Sequence, residues 1–301
     1  MIHIIITSFN EPKATLRAVN AFLNQKVAEN FKVIVVDPFP QVGEILKKEI
    51  SDKRVSFFLD PGEGKSYALN LIFQEIYSEN KEDIIVLTDG DVYVSENSLS
   101  EIIKAFRNKE VGCVTGKPVS TDMKNTKYGY WSCLLFDGID KTRTKLHRRK
   151  RFFECSGYLF SVRNGVLNDF HMNHSEDAVI PYLFWRKGYK IFYANAAKVF
   201  VKNPNNWKDW KNQKIRNIKG HEKLNKTFPK MPRTKSFFNE IREGFFFSLK
   251  HPKNAREFFW VLQLYFARLY VYFTAFREIK AKKNYSDGWR ETDILSTRPL
   301  D

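Results

Sequence analysis

The stretch "VLTDGDVYV", residues 86–94, carries an apolar run straight into two aspartates separated by one glycine. Asp-Gly is ordinary turn chemistry. In a chain with 50 basic and 34 acidic residues, two adjacent carboxylates also suit a divalent cation that holds a nucleotide diphosphate. The run is one of five. Residues 2–8 (IHIIITS), 31–37 (FKVIVVD), 54–60 (RVSFFLD), 83–89 (DIIVLTD) and 111–115 (VGCVT) are short, consecutively apolar and rich in Val, Ile and Phe. That is the pattern of strands covered on both faces. Between them, 12–26 opens with Pro12 at a first helical turn, and Leu69, Ile72, Phe73 and Ile76 within 65–78 follow helical spacing. The alternation predicts an α/β domain with a mainly parallel sheet. Such sheets bind ligands at the carboxyl ends of their strands. Asn10, Glu11, Asp37, Asp60 and Asp89 all fall at those ends.

With 301 residues, 43% hydrophobic and 15% aromatic, the chain has ample material for a core and is not disordered. Its net charge of +16 points to anionic partners: nucleic acid, phosphorylated metabolites or a membrane surface. Cys113, Cys133 and Cys155 form no CxxC pair, so neither a zinc site nor a disulfide framework is expected, and a reducing cytoplasm is the default. The first residues enter a strand directly, and no secretory leader is read there.

Beyond residue 120 the pattern changes. "KTRTKLHRRKR", 141–151, packs seven Lys/Arg and one His into a run read first as a solvated loop, with phosphate or headgroup binding as the second reading. From about 222 the chain turns basic, aromatic and helical in pattern. Residues 258–276, "FFWVLQLYFARLYVYFTAF", approach spanning length but carry Arg268 near their middle and basic residues on both flanks. An interfacial helix on an anionic membrane surface is the first expectation; burial and a true span are the alternatives.

Three elements carry chemistry. Asp89 and Asp91 at a strand end suit Mg²⁺ or Mn²⁺, hard ions that take carboxylate oxygens and keep places for water and phosphate. "HSED", 174–177, opens a helix with Ser175 as a natural N-cap, and Asp177 is placed to act as a general base on an acceptor hydroxyl. In "QKIRN", 213–217, Gln213 and Arg216 lie three apart on one helical face, suited to a pyrophosphate.

"IIITSFNE", "VVD", "PGEGKSYALN", "LTDGDVYV", "ECSGYLFSVRNGV", "SED" and "QKIRN" appear in the order and spacing of family 2 inverting glycosyltransferases, which the chain resembles over about residues 1–221. The family includes the catalytic domains of cellulose, chitin and hyaluronan synthases. The resemblance implies a GT-A fold, a nucleotide-sugar donor expected to be UDP-linked, and Mn²⁺ or Mg²⁺. It places the base near Phe9, Glu11 and Asp37, Lys65 near the nucleotide, Asp89 at the ribose or diphosphate, and Asp91 as principal metal ligand beside Asp89. It makes Asp177 the catalytic base with Glu176 beside it, sets Ser156 and Gly157 at the acceptor, and gives Gln213 and Arg216 the leaving diphosphate. "DGWRETDILSTR", 287–298, resembles the synthases' gating loops, so Trp289 is expected at the acceptor and Thr297 and Arg298 over the donor. The division implied is a nucleotide-binding half (1–120), an acceptor-binding half (121–221) and a C-terminal region of amphipathic helices and gating tail (222–301).

Two departures stand out. Asn217 occupies the place of the synthases' acceptor-stacking Trp, which favours a single transfer over polymerisation, and one candidate membrane helix replaces their several. The expected protein is therefore a glycosyltransferase at the cytoplasmic face of the membrane, acting on a glycan or lipid-linked acceptor. A nucleotidyltransferase is the alternative enzyme, disfavoured because "TSFNEP" stands where its phosphate loop belongs. A basic nucleic-acid-binding module is the non-enzymatic one, and no nucleic-acid-reading motif supports it.

Overall fold

A computed structural model describes residues 1–171, 174–234 and 236–281. The five apolar runs become strands: β1 (Ile2–Thr7), β2 (Phe31–Asp37), β3 (Val55–Leu59), β4 (Ile84–Asp89) and, after the short β5 (Tyr93–Val94), the start of β6 (Val111–Ser120). β7 (Leu159–Arg163) and β8 (Lys190–Val201) complete one eight-stranded sheet in the order β3-β2-β1-β4-β7-β6-β8-β5. β1, β2, β3 and β4 pair in parallel, as do β6 and β8. β7 runs antiparallel to both β4 and β6, and β5 runs antiparallel to β8. The sheet is therefore parallel in its first half and mixed beyond it.

Helices α1 (Pro12–Leu23), α2 (Pro40–Glu49), α3 (Lys65–Glu75) and α4 (Ser98–Phe106) connect the early strands, and two apolar clusters cover the sheet's faces. α1 and α2 each start at a proline, where the missing N–H costs no hydrogen bond. α5 (Lys127–Arg148), α6 (Glu176–Arg186), α7 (Trp207–Thr227), α8 (Phe237–Lys250) and α9 (Ala255–Lys280) follow.

The basic run is not a loop. Most of it forms the last turns of α5, and Arg143 within it is buried, donating from Nη2 to the Cys155 carbonyl at 2.8 Å. A helix places every third or fourth side chain on one face, so a run of seven cations still presents Arg143 and Leu146 inward.

α5, α7 and α9 share a third apolar cluster, in which Trp131, Trp210, Val261, Leu264 and Val271 are buried. Asn254 caps α9 by accepting from the Glu257 amide at 2.9 Å, while the Glu257 carboxylate accepts from the Lys253 amide. Arg268 does not point to the surrounding medium: it pairs with Glu240 of α8 and lies over the Tyr272 ring. No helix among the described residues is long and apolar enough to cross a membrane. Trp289, Thr297 and Arg298, the expected gate, lie outside the described residues.

Candidate active site

Register builds the site. Thr7 pairs with Val36 on one side and Asp89 on the other, so β1, β2 and β4 end level and release their following residues along one edge. Asp37, fully buried at the end of β2, accepts from the Asn10 amide at 2.9 Å and the Phe39 amide at 2.8 Å. Burial raises its pKa against these hydrogen bonds. Asn10 has a φ of 53°, a conformation that Asn tolerates better than bulkier residues, and Phe9 packs edge-on against Phe39. Asp37 thus shapes the loop that carries Phe9 and Glu11 into the cleft; it does not itself line the cleft.

Gly90 has a local reason. A Cβ there would sit 2.9 Å from Ser8 Cβ and 3.2 Å from Ser8 Cα, so only glycine lets the Asp-Gly-Asp turn press onto the loop after β1. Gly90 also lines the cleft. Asp91, buried, and Asp89 both face the cleft.

α3 begins at Lys65 after Gly62 and Gly64, which both take positive φ. From that first turn the Lys65 ammonium reaches Asp89 Oδ1 at 2.7 Å and Glu176 Oε1 at 2.6 Å. Burial opposes its charge, but the two carboxylates outweigh burial and raise its pKa, so it stays protonated. This bridge ties the end of β4 to the start of α6.

Glu176 and Asp177 occupy the first turn of α6, where the helix dipole favours negative charge. Ser175 is at the N-cap position, although its side chain makes no capping hydrogen bond. Asp177 Oδ2 accepts from the Gly157 amide at 3.2 Å, and its carbonyl accepts from the Cys155 amide at 3.0 Å. Ser156 is held by its own amide, which donates to Thr115 Oγ1 at 2.9 Å. Segment 155–157 therefore lies directly against the candidate base.

All of this opens into a cavity of about 800 Å³. Phe9, Glu11, Lys65, Asp89, Asp91, Ser156, Gly157, Glu176, Asp177 and Arg216 line it; Asp37 and Gln213 do not. Gln213 accepts from Lys214 at 3.2 Å, and it is Lys214, with Arg216 and Asn217, that faces the cavity from α7. Sequence reasoning also missed Arg143, Glu154 and His221. Glu154, buried, accepts from Thr234 at 2.7 Å and has His221 Nδ1 3.7 Å away. Burial lowers the Arg143 pKa against the pull of Cys155, Tyr193, Asp177 and Glu154. Its helical spacing from Ile139 and Leu146 was the one signal available for Arg143.

The donor set fits a hard cation. Asp89 and Asp91 offer carboxylate oxygens at one strand end, and among the described residues no three His, Cys, Asp or Glu side chains form a protein-only cage. Mg²⁺-type ions commonly bind through one or two carboxylates and complete their shell with phosphate and water. Since Asp89 Oδ1 is engaged by Lys65, Asp91 is the better placed of the two.

Comparisons with known proteins agree with the architecture. A family model described as "Glycosyl transferase family 2" matches residues 3–170. No curated protein sequence matches the chain. Among solved structures, a mannosyltransferase from Pyrobaculum calidifontis in complex with GDP-Man and Mn²⁺ aligns at a TM-score of 0.58 and 16% identity, covering 94% of this chain and 79% of that one. GalNAc-T7 with UDP, GalNAc and Mn²⁺ aligns at 0.49 and 14%, covering 85% and 59%. The mixed sheet and its flanking helices are the GT-A arrangement.

Proposed function

The chain belongs to glycosyl transferase family 2, and from that premise we propose that it is a metal-dependent inverting glycosyltransferase moving a sugar from a nucleotide-sugar, UDP-linked by expectation, to an acceptor hydroxyl. One observation carries the reading. The Lys65 ammonium joins Asp89 to Glu176, so the carboxylates of the metal edge and the base on α6 share one wall of one cavity.

The roles follow from position. Phe9 and Glu11 flank the nucleotide base, with Asp37 holding their loop. Asp91, with Asp89, would hold Mn²⁺ or Mg²⁺, which when bound neutralises the charge that develops on the leaving diphosphate. Arg216 and Lys214, at the cavity wall, add donors for the same charge. The Gly157 amide orients Asp177 Oδ2, whose carboxylate removes the acceptor's proton. The acceptor oxygen then bonds to the anomeric carbon as the carbon–diphosphate bond breaks on the opposite face, inverting that centre. Residues 1–120 serve the donor and 121–221 mainly the acceptor, with Lys214 and Arg216 reaching back to the diphosphate.

The last part of the reading is location: peripheral, at the cytoplasmic face of an anionic membrane. Phe238, Phe246, Phe266 and Phe273 are 80, 73, 73 and 68% exposed on α8 and α9, and Lys250, Lys253, Arg256, Arg277 and Lys280 stand at the helix ends. Aromatic side chains rimmed by cations suit such a surface.

The test is nucleotide release from UDP- and GDP-sugars with and without Mn²⁺ or Mg²⁺. Metal-dependent turnover that disappears in Asp91→Asn and Asp177→Asn is expected. Turnover indifferent to metal and to both substitutions would overturn the proposal.

A further inference from the structure

The cavity does not end at the catalytic edge. Past Ser156, Gly157 and Asp177 it continues between α5, α8 and α9, where Leu134, Ile139, Ile241, Phe247, Leu264 and Tyr272 line it. Of the charged groups along this arm, Glu240 accepts from Arg268 and Tyr272, and Glu243 pairs with Lys145 at 2.6 Å. Ser248 and Tyr265 share a hydrogen bond, and the aliphatic and aromatic side chains named above face the cavity between these groups.

Two features mark the arm as a built chamber. α8 roofs it without burying any of its own residues, although five phenylalanines lie on that helix. Gly138 on α5 and Gly244 on α8 stand mid-helix on the cavity wall, where each costs about 1 kcal/mol relative to alanine. Gly244 is not required by crowding, because a Cβ there meets nothing within 4 Å. Nor is Gly138, whose Cβ would meet Phe247 at an ordinary 3.6 Å. Neither takes a positive φ. The missing side chains widen the chamber.

We infer that the acceptor is amphipathic: its hydroxyl-bearing head lies at Asp177, and its alkyl or prenyl chain runs into the chamber between α5, α8 and α9. The inference rests on the transfer site proposed above and names the acceptor class for it. A purely polar glycan would leave this apolar wall facing water. The chamber's roof is the pair of helices whose outer faces expose Phe238, Phe246, Phe266 and Phe273, so the chain's route leads toward the surface best suited to a bilayer.

The test uses n-alkyl β-D-glucopyranosides from butyl to nonyl, titrated below their micellar concentrations into the full chain. Burying one methylene is worth about a three- to fourfold gain in affinity. Affinity is expected to rise at that rate with chain length, and Gly244→Phe, which fills the chamber, is expected to abolish the rise. A nonyl glucoside with a photoreactive diazirine at its tail supplies a readout that needs no variant. Cross-links on Leu134, Ile241 or Leu264 support the inference; cross-links confined to Phe246, Phe266 and Phe273 overturn it, because the chain then lies on the outer face. Affinity independent of chain length also overturns it. Binding of UDP and GDP with Mn²⁺ is measured beside these titrations. Loss of nucleotide binding bears on the transfer site, and loss of chain dependence bears on the chamber.

Discussion

Removing the Lys65 ammonium is the sharpest perturbation of this site. Lys65→Met keeps the length of the side chain and deletes the charge between two carboxylates. Asp89 Oδ1 and Glu176 Oε1 accept from one nitrogen at 2.7 and 2.6 Å, with side chains 23 and 9% exposed. Left facing each other at about 5 Å, two unit charges repel by about 3 kcal/mol at an effective dielectric constant near 20. Breaking a buried ion pair by removing one partner costs a similar amount, about 3–5 kcal/mol. In a chain of this size about 3 kcal/mol corresponds to about 6 °C of thermal midpoint.

The sign with pH is fixed. Lys65 has a raised pKa in the folded chain, so its contribution is complete below the unfolded value near 10.4 and is lost only as pH rises through the folded one. The deficit of Lys65→Met should therefore be constant between about pH 6 and 9. Thermal unfolding by circular dichroism reads it directly, and Mn²⁺ should stabilise the variant more than the parent, because a cation can replace the lost charge. A midpoint within about 1 °C of the parent, or no differential response to Mn²⁺, would refute the bridge.

Three further outcomes are expected. Arg143→Met removes a buried cation near Asp177, so the acid limb of the kcat–pH profile should move to higher pH, with little change in nucleotide binding. Asn254→Ala deletes the cap of α9 and should lower stability by about 1 kcal/mol, measured by urea titration. The double substitution Phe266→Ser, Phe273→Ser should reduce cosedimentation with anionic vesicles at least tenfold and leave nucleotide release in detergent-free buffer unchanged.

Much of the donor side was legible because it is local. Consecutive Val, Ile and Phe residues define β1, β2 and β4 wherever they occur, and the residue ending each strand must emerge at the sheet edge. Asp89 and Asp91 could therefore be named from their own segment, and Asp177 from the helix start it stands in, whereas Lys65 and Glu176 were expected only because the chain resembles family 2 glycosyltransferases. Gln213 does not line the cavity for a reason of the same kind: helical spacing gives the angle between two residues but not which direction is inward. α7 turns Lys214 and Arg216 toward the cavity, while Gln213 accepts from Lys214.

The amino-acid sequence by itself determined the α/β class, the strand ends and the chemistry available at them, because each depends on residues a few positions apart. Only the tertiary structure decided what those residues meet. The Lys65 bridge joins positions 24 and 111 residues distant, the antiparallel β7 brings segment 155–157 against Asp177, and Arg143 becomes an interior cation although it sits in a run read as a solvated loop. The chamber between α5, α8 and α9 has no sequence signature: it is the space between three helices where two glycines withhold their side chains.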